Sequence, residues 1–86
     1  MMESSGRCLS ALTIGGSDSS GGAGIQADLK TFQCFDIHGA SVMTCVTAQN
    51  SLGVSHVEHL SCDSVGQQAV AVLSDPVIAA LETRML

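Results

Sequence analysis

The chain has 86 residues, 45% of them apolar, with no Trp or Tyr and only two Phe, Phe32 and Phe35. That length excludes a multidomain architecture. A core of Val, Leu, Ile, Ala and Met leaves a thin margin, because so small a domain buries only about 60–65% of its unfolded surface. Three basic against eight acidic residues give a net charge of −5, which excludes the basic footprint of a nucleic-acid binder and disfavours an anionic membrane surface.

Residues 1–7 are polar and read as a disordered N-terminus. Cys8–Ile14 is a short apolar run halted by Gly15-Gly16, the pattern of a buried strand. Gly15–Gly24 (GGSDSSGGAG) is the strongest turn signal in the chain. Across Ala23–Phe35, the spacing of Ile25, Leu29 and Phe32 predicts an amphipathic helix, ended by Asp36 and Gly39. Ala40–Val46 is apolar without alternation, as a parallel strand covered on both faces would be. The order strand, loop, helix, strand makes a right-handed βαβ unit.

Thr47–Gly53 is polar and turn-rich, and Val54–Leu60 reads as a short exposed strand. Asp63–Leu73 places Val65, Ala69, Val72 and Leu73 on one helical face, with Asp63 as N-cap. Asp75-Pro76 breaks that helix, and the apolar Val77–Leu81 opens a third strand.

The four cysteines (Cys8, Cys34, Cys45, Cys62) include no C-x-x-C pair and match no zinc spacing. The N-terminus has no signal-peptide pattern, and no apolar run is long enough for a membrane span. Reduced thiols and a cytoplasmic location are the expectation. His38, His56 and His59 are not at metal-ligand spacing and read as surface or packing residues.

The glycine loop follows a strand and precedes a helix, where α/β proteins bind ligands. A dinucleotide site needs G-x-G-x-x-G and an acid after the second strand. Here the glycine spacing is wrong, and Thr47 stands where the acid is needed. A Walker A loop needs Gly-Lys-Ser/Thr, and the nearest lysine, Lys30, lies two turns into the helix. A small-molecule site remains, with Asp28 as a polar anchor, although an Asp on such a helix is more often a solvated acid. Gln49 offers paired donor and acceptor atoms for a heterocycle, although such an amide more often caps its own loop.

Two blocks carry a family resemblance. ALTIGGSDSSGGAGIQADLKTF (Ala11–Phe32) and HGASVMTCVTAQNSLGV (His38–Val54) resemble the N-terminal part of hydroxymethylpyrimidine/phosphomethylpyrimidine kinases, thiamine-biosynthesis members of the ribokinase-like superfamily. In the first block only Gly15 departs from the family pattern. The resemblance implies an α/β, Rossmann-like three-layer sandwich with a mostly parallel sheet. It implies ATP- and Mg2+-dependent phosphorylation of 4-amino-5-hydroxymethyl-2-methylpyrimidine and then of its monophosphate. It assigns substrate binding to Gly16, Ala23, Asp28, Thr47, Gln49 and Met85, with no catalytic, cofactor or metal residue in this chain. It also implies a homodimer. Pyridoxal kinases share the fold but carry the pattern less closely.

The last block, ALETRML (Ala80–Leu86), departs further: Glu82 replaces a family Lys and Arg84 a family Gly, which argues against a functional third strand. The match covers about the first third of the family domain, so residues 8–86 read as a truncated domain carrying the substrate-side loop. The catalytic base and most ATP and Mg2+ contacts belong to the part not matched. The expectation is a chain inactive by itself. The alternatives are a small pyrimidine-binding or regulatory module, or a pyridoxal-type kinase.

Overall fold

The computed structural model describes residues 9–79 and 82–85. The expected disordered segment 1–7 and Cys8 lie outside the described residues. The element order is β1 (Leu9–Asp18), α1 (Gly24–Cys34), β2 (His38–Asn50), β3 (Gly53–His59), α2 (Cys62–Leu73), α3 (Pro76–Ala79) and β4 (Glu82–Met85). They form one four-stranded sheet in the order β3-β2-β1-β4. β1 pairs in parallel with β2 and β4, while β3 is antiparallel to β2.

Both predicted strands are longer than their apolar runs. β1 continues through Gly15-Gly16 because β2 supplies a ladder on that side as far as the pair Asp18↔Thr47, after a bulge at Gly15/Gly16. Sheet pairing overrides the local turn signal there, and the turn shrinks to residues 19–23. β2 runs on through the polar Thr47–Asn50 because β3 folds back on it. β3 is exposed along its whole length, as the sequence suggested.

Ile25 and Phe32 of α1 are buried, and Leu29 and Phe32 close over Gly39 of β2. This is the face that the 3.6-residue spacing selects. Ala23 is the extended N-cap and Phe35 the C-cap. Asp36 takes a positive φ of 55° and turns the chain toward β2, with its N–H donating to the Gln33 carbonyl. Ala11 and Thr13 are buried toward α1. Leu12 and Val42 alternate to the other face and are buried as well, on the side of the α2–α3 segment.

The N-cap of α2 is Ser61, not Asp63: the Ser61 hydroxyl accepts from the Ser64 N–H at 3.0 Å. Asp63 sits in the first turn and accepts from Gln67 Nε2 at 2.7 Å. The predicted break at Asp75-Pro76 holds, but Pro76 starts helix α3 instead of a strand. The proline ring suits a first helical position, and Asp75 accepts from the Val77 N–H at 2.8 Å. The strand expected at Val77–Leu81 therefore begins later, as β4. That strand forms despite Glu82 and Arg84, with Arg84 opposite Ala11.

Where β3 stops short, the edge of β2 is closed by a side chain. Gln68 of α2 accepts from the Met43 N–H and donates to the Met43 carbonyl, both at 2.8 Å. One amide thus stands in for a rung of backbone ladder.

Candidate functional site

The carboxyl ends of β1 and β2 form a rim, with the turn 19–23 above β1. Parallel register brings Gly16 beside Cys45 and Asp18 beside Thr47. A Cβ on Gly16 would meet Cys45 Sγ at 2.7 Å, so the strands approach here as closely as glycine allows. Thr47 donates from Oγ1 to the Ser17 carbonyl at 2.8 Å and lies 3.1 Å from Gln49 Oε1. An open groove of about 650 Å³ lies beside them, lined by Ser19, Thr47, Gln49, Leu52 and Val54 among others. Of the residues singled out by sequence, Thr47 and Gln49 line this groove together, Gly16 lies lower on β1 beside Cys45, and Ala23 is the N-cap of α1.

Asp28 stands apart from that cluster. Its carboxylate accepts from Thr13 Oγ1 at 2.6 Å, and Thr13 lies three strand residues before Gly16, about 10 Å at 3.3 Å per residue. The Met85 backbone pairs with Leu12, while its side chain lies outside the described residues.

The turn is organised by Asp18, a residue the sequence reading passed over. Its buried carboxylate accepts from the Ser20 N–H (2.8 Å), the Ser20 hydroxyl (2.7 Å) and the Gly22 N–H (3.0 Å). The Ser20 hydroxyl above all, then its N–H, holds the Asp18 carboxyl below its usual value, with burial pulling the other way. The spacing Asp-x-Ser-x-Gly was the available signal, since Asp side chains bond backbone N–H groups just downstream. Gln26 adds a second tie, accepting from the Asp18 N–H at 2.8 Å and donating to Ser17 Oγ at 2.7 Å. Lys30 Nζ closes the turn onto the Gly21 carbonyl at 2.8 Å.

The amide groups that would cradle a phosphate are therefore directed at the chain's own carboxylate. This turn does not fit a phosphate group. Among the described residues no group of three or more His, Cys, Asp or Glu side chains is placed to hold a metal ion. The three histidines are exposed, with His56 Nε2 3.5 Å from Glu58. Cys34, Cys45 and Cys62 are unpaired thiols. Among the described residues no helix is long and apolar enough to cross a membrane.

The family model for phosphomethylpyrimidine kinase matches residues 18–86. The hydroxymethylpyrimidine/phosphomethylpyrimidine kinase of Synechococcus elongatus is 58% identical over 76 residues, covering 88% of this chain and 29% of that protein. Its Bacillus subtilis counterpart is 57% identical over 76 residues, covering 88% and 28%. The chain thus spans under a third of the length of these relatives. The crystal structure of phosphomethylpyrimidine kinase from Clostridium difficile superposes with a TM-score of 0.78 at 47% identity, covering 90% of this chain and 32% of that one. Pyridoxal kinase from Staphylococcus aureus, solved with pyridoxal, superposes with a TM-score of 0.71 at 41% identity, covering 80% and 26%. The same enzyme has also been solved with AMP-PCP and with ADP. The fold is the N-terminal portion of the ribokinase-like α/β architecture. With most of its length under one family model and its backbone shared with a solved member, the chain belongs to the phosphomethylpyrimidine kinase family.

Proposed function

We propose that the rim of β1 and β2 binds 4-amino-5-hydroxymethyl-2-methylpyrimidine or its monophosphate, as the substrate side of a kinase serving thiamine diphosphate biosynthesis. The observation that supports this reading is the contact of Thr47 with the Gln49 amide beside an open groove at the carboxyl end of β2, where open α/β sheets bind ligands. Gln49 reads the heterocycle edge with its amide, Thr47 flanks it, and Gly16 and Ala23 offer backbone groups. By the family resemblance Asp28 anchors the substrate, with the carboxylate oxygen that Thr13 does not engage, and Met85 is a further pocket residue.

The phosphoryl donor in this reading is ATP with Mg2+, held by parts of the family domain that this chain does not span. In this reading the phosphate cradle and the metal site belong to those parts, and the chain by itself transfers no phosphoryl group. Among the described residues several apolar side chains are exposed, Ile14, Val46, Val70 and Val77 among them, and in this reading the remaining parts of the family domain cover them. A cytoplasmic location and a homodimer complete the proposal.

The likeness to pyridoxal kinases supports a second reading, with pyridoxal as the ligand. Calorimetry separates the two. The pyrimidine alcohol binds the wild-type chain, pyridoxal competes weakly, and Gln49→Ala and Asp28→Ala abolish binding. Preference for pyridoxal, or binding indifferent to Gln49, refutes the pyrimidine assignment. Incubation with the pyrimidine alcohol, ATP and Mg2+ gives no phosphorylated product above a boiled control.

A further inference from the structure

We propose that Ser19 is a positioning residue for Gln49, an inference that rests on the reading of Gln49 as the ligand-facing amide. Ser19 is exposed, belongs to neither β1 nor α1, and opens the turn 19–23. Its hydroxyl nevertheless donates to the Gln49 carbonyl at 2.6 Å and accepts from the Gln49 N–H at 2.7 Å. A hydroxyl has one proton and two lone pairs, so it makes both bonds at once. The two residues are 30 positions apart, and no local preference brings them together.

The placement has a structural reason. The β1–β2 ladder ends at Asp18↔Thr47, where the β1 backbone leaves to form the turn around Asp18. On its other side, β2 meets β3 with a register shift between Ala48 and Gln49. Gln49 therefore stays opposite Val54 of β3 just past that shift, while on the β1 side the ladder has already ended. The Ser19 hydroxyl supplies the rung that β1 no longer provides. Thr47 Oγ1, whose proton goes to the Ser17 carbonyl, borders the Gln49 side-chain oxygen at 3.1 Å. In this arrangement the turn and the heterocycle-reading amide move as one body.

The test uses the full 86-residue chain and two readouts. In wild type, the Gln49 N–H is protected from hydrogen exchange despite its place on an open rim. Ser19→Ala raises its exchange about tenfold, as the loss of a hydrogen bond of ordinary strength requires, while the Val42 amide in the core is unchanged. Ser19→Thr, which keeps the hydroxyl, restores protection. Calorimetry with 4-amino-5-hydroxymethyl-2-methylpyrimidine follows the same order: about tenfold weaker binding in Ser19→Ala and recovery in Ser19→Thr. Equal Gln49 exchange in wild type and Ser19→Ala overturns the proposal, as does equal ligand affinity. An unprotected Gln49 N–H in wild type overturns it without any variant. Exchange that responds to Ser19→Ala while the wild-type chain binds no pyrimidine refutes the substrate reading and reduces Ser19 to a fastener of the turn.

Discussion

Gly24, where the turn passes into α1, packs against the backbone of β1, and replacing it with alanine tests the geometry of the rim. Its φ is +62°, a conformation that costs a residue with a Cβ about 1–2 kcal/mol. The new methyl would collide with the Gly16 carbonyl oxygen and lie 3.5 Å from the Asp18 nitrogen. Both are backbone atoms in a paired strand, so no side-chain rotation relieves the clash. Forcing them apart adds about 1–3 kcal/mol, the usual cost of overpacking. The sum, about 2–5 kcal/mol, compares with a total stability of about 4–13 kcal/mol at ~0.05–0.15 kcal/mol per residue. Gly22→Ala is the matched control. It lies in the same turn, but its Cβ would meet nothing nearer than Asp18 Oδ2 at 3.9 Å. In urea titrations followed by circular dichroism, Gly24→Ala lowers the midpoint by about 2 M or more, given a slope of ~1 kcal/mol per M, while Gly22→Ala stays within about 0.5 M of wild type. A Gly24→Ala midpoint indistinguishable from wild type would refute the close packing of turn on strand.

Gly16→Ala places a Cβ 2.7 Å from Cys45 Sγ, so it destabilises by about 1–2 kcal/mol. The double variant Gly16→Ala/Cys45→Ala recovers most of that loss, and a double-mutant cycle with no coupling would contradict the contact. The Asp18 carboxyl titrates below 3.8, chiefly because of the Ser20 hydroxyl. A depressed folded value means its contribution is complete above 3.8 and lost as pH falls through the folded value. Carboxyl NMR shifts followed against pH check this, and Ser20→Ala moves the titration upward. Gln68→Leu leaves the Met43 N–H and carbonyl without their partner. The expected cost is about 1–3 kcal/mol, with faster amide exchange at Met43. Unchanged exchange there would show that the edge of β2 does not depend on Gln68.

Much of the architecture was legible because its signals were local. Ile25 and Phe32 disclosed the buried face of α1, and the apolar runs disclosed the centres of β1 and β2. Strand ends were less legible because partners set them. Nothing in Gly15–Asp18 indicates a strand until β2 lies alongside, and Thr47–Asn50 is extended because β3 returns against it. At the start of α2 the sequence pointed to Asp63 as the N-cap, but Ser61 two residues earlier takes that place, because a serine hydroxyl accepts from an N–H three residues on equally well. Asp75-Pro76 did carry a usable signal: the proline that stops one helix is placed to start the next. Gly16, Thr47 and Gln49 were proposed through loop position and family pattern. Asp18 was discoverable from its turn chemistry. Ser19 was not, because its partner is 30 residues away and the contact exists only once the sheet has formed.

The account stands most directly on where the pyrimidine alcohol binds. Titrating it into the isotopically labelled chain and following backbone amide shifts locates it residue by residue. The prediction is a contiguous response at Gly16, Ala23, Thr47 and Gln49, with the amides of α2 unmoved. A response confined to α2, or none anywhere at saturating ligand, would contradict the assignment of this rim as the substrate side of the kinase fold.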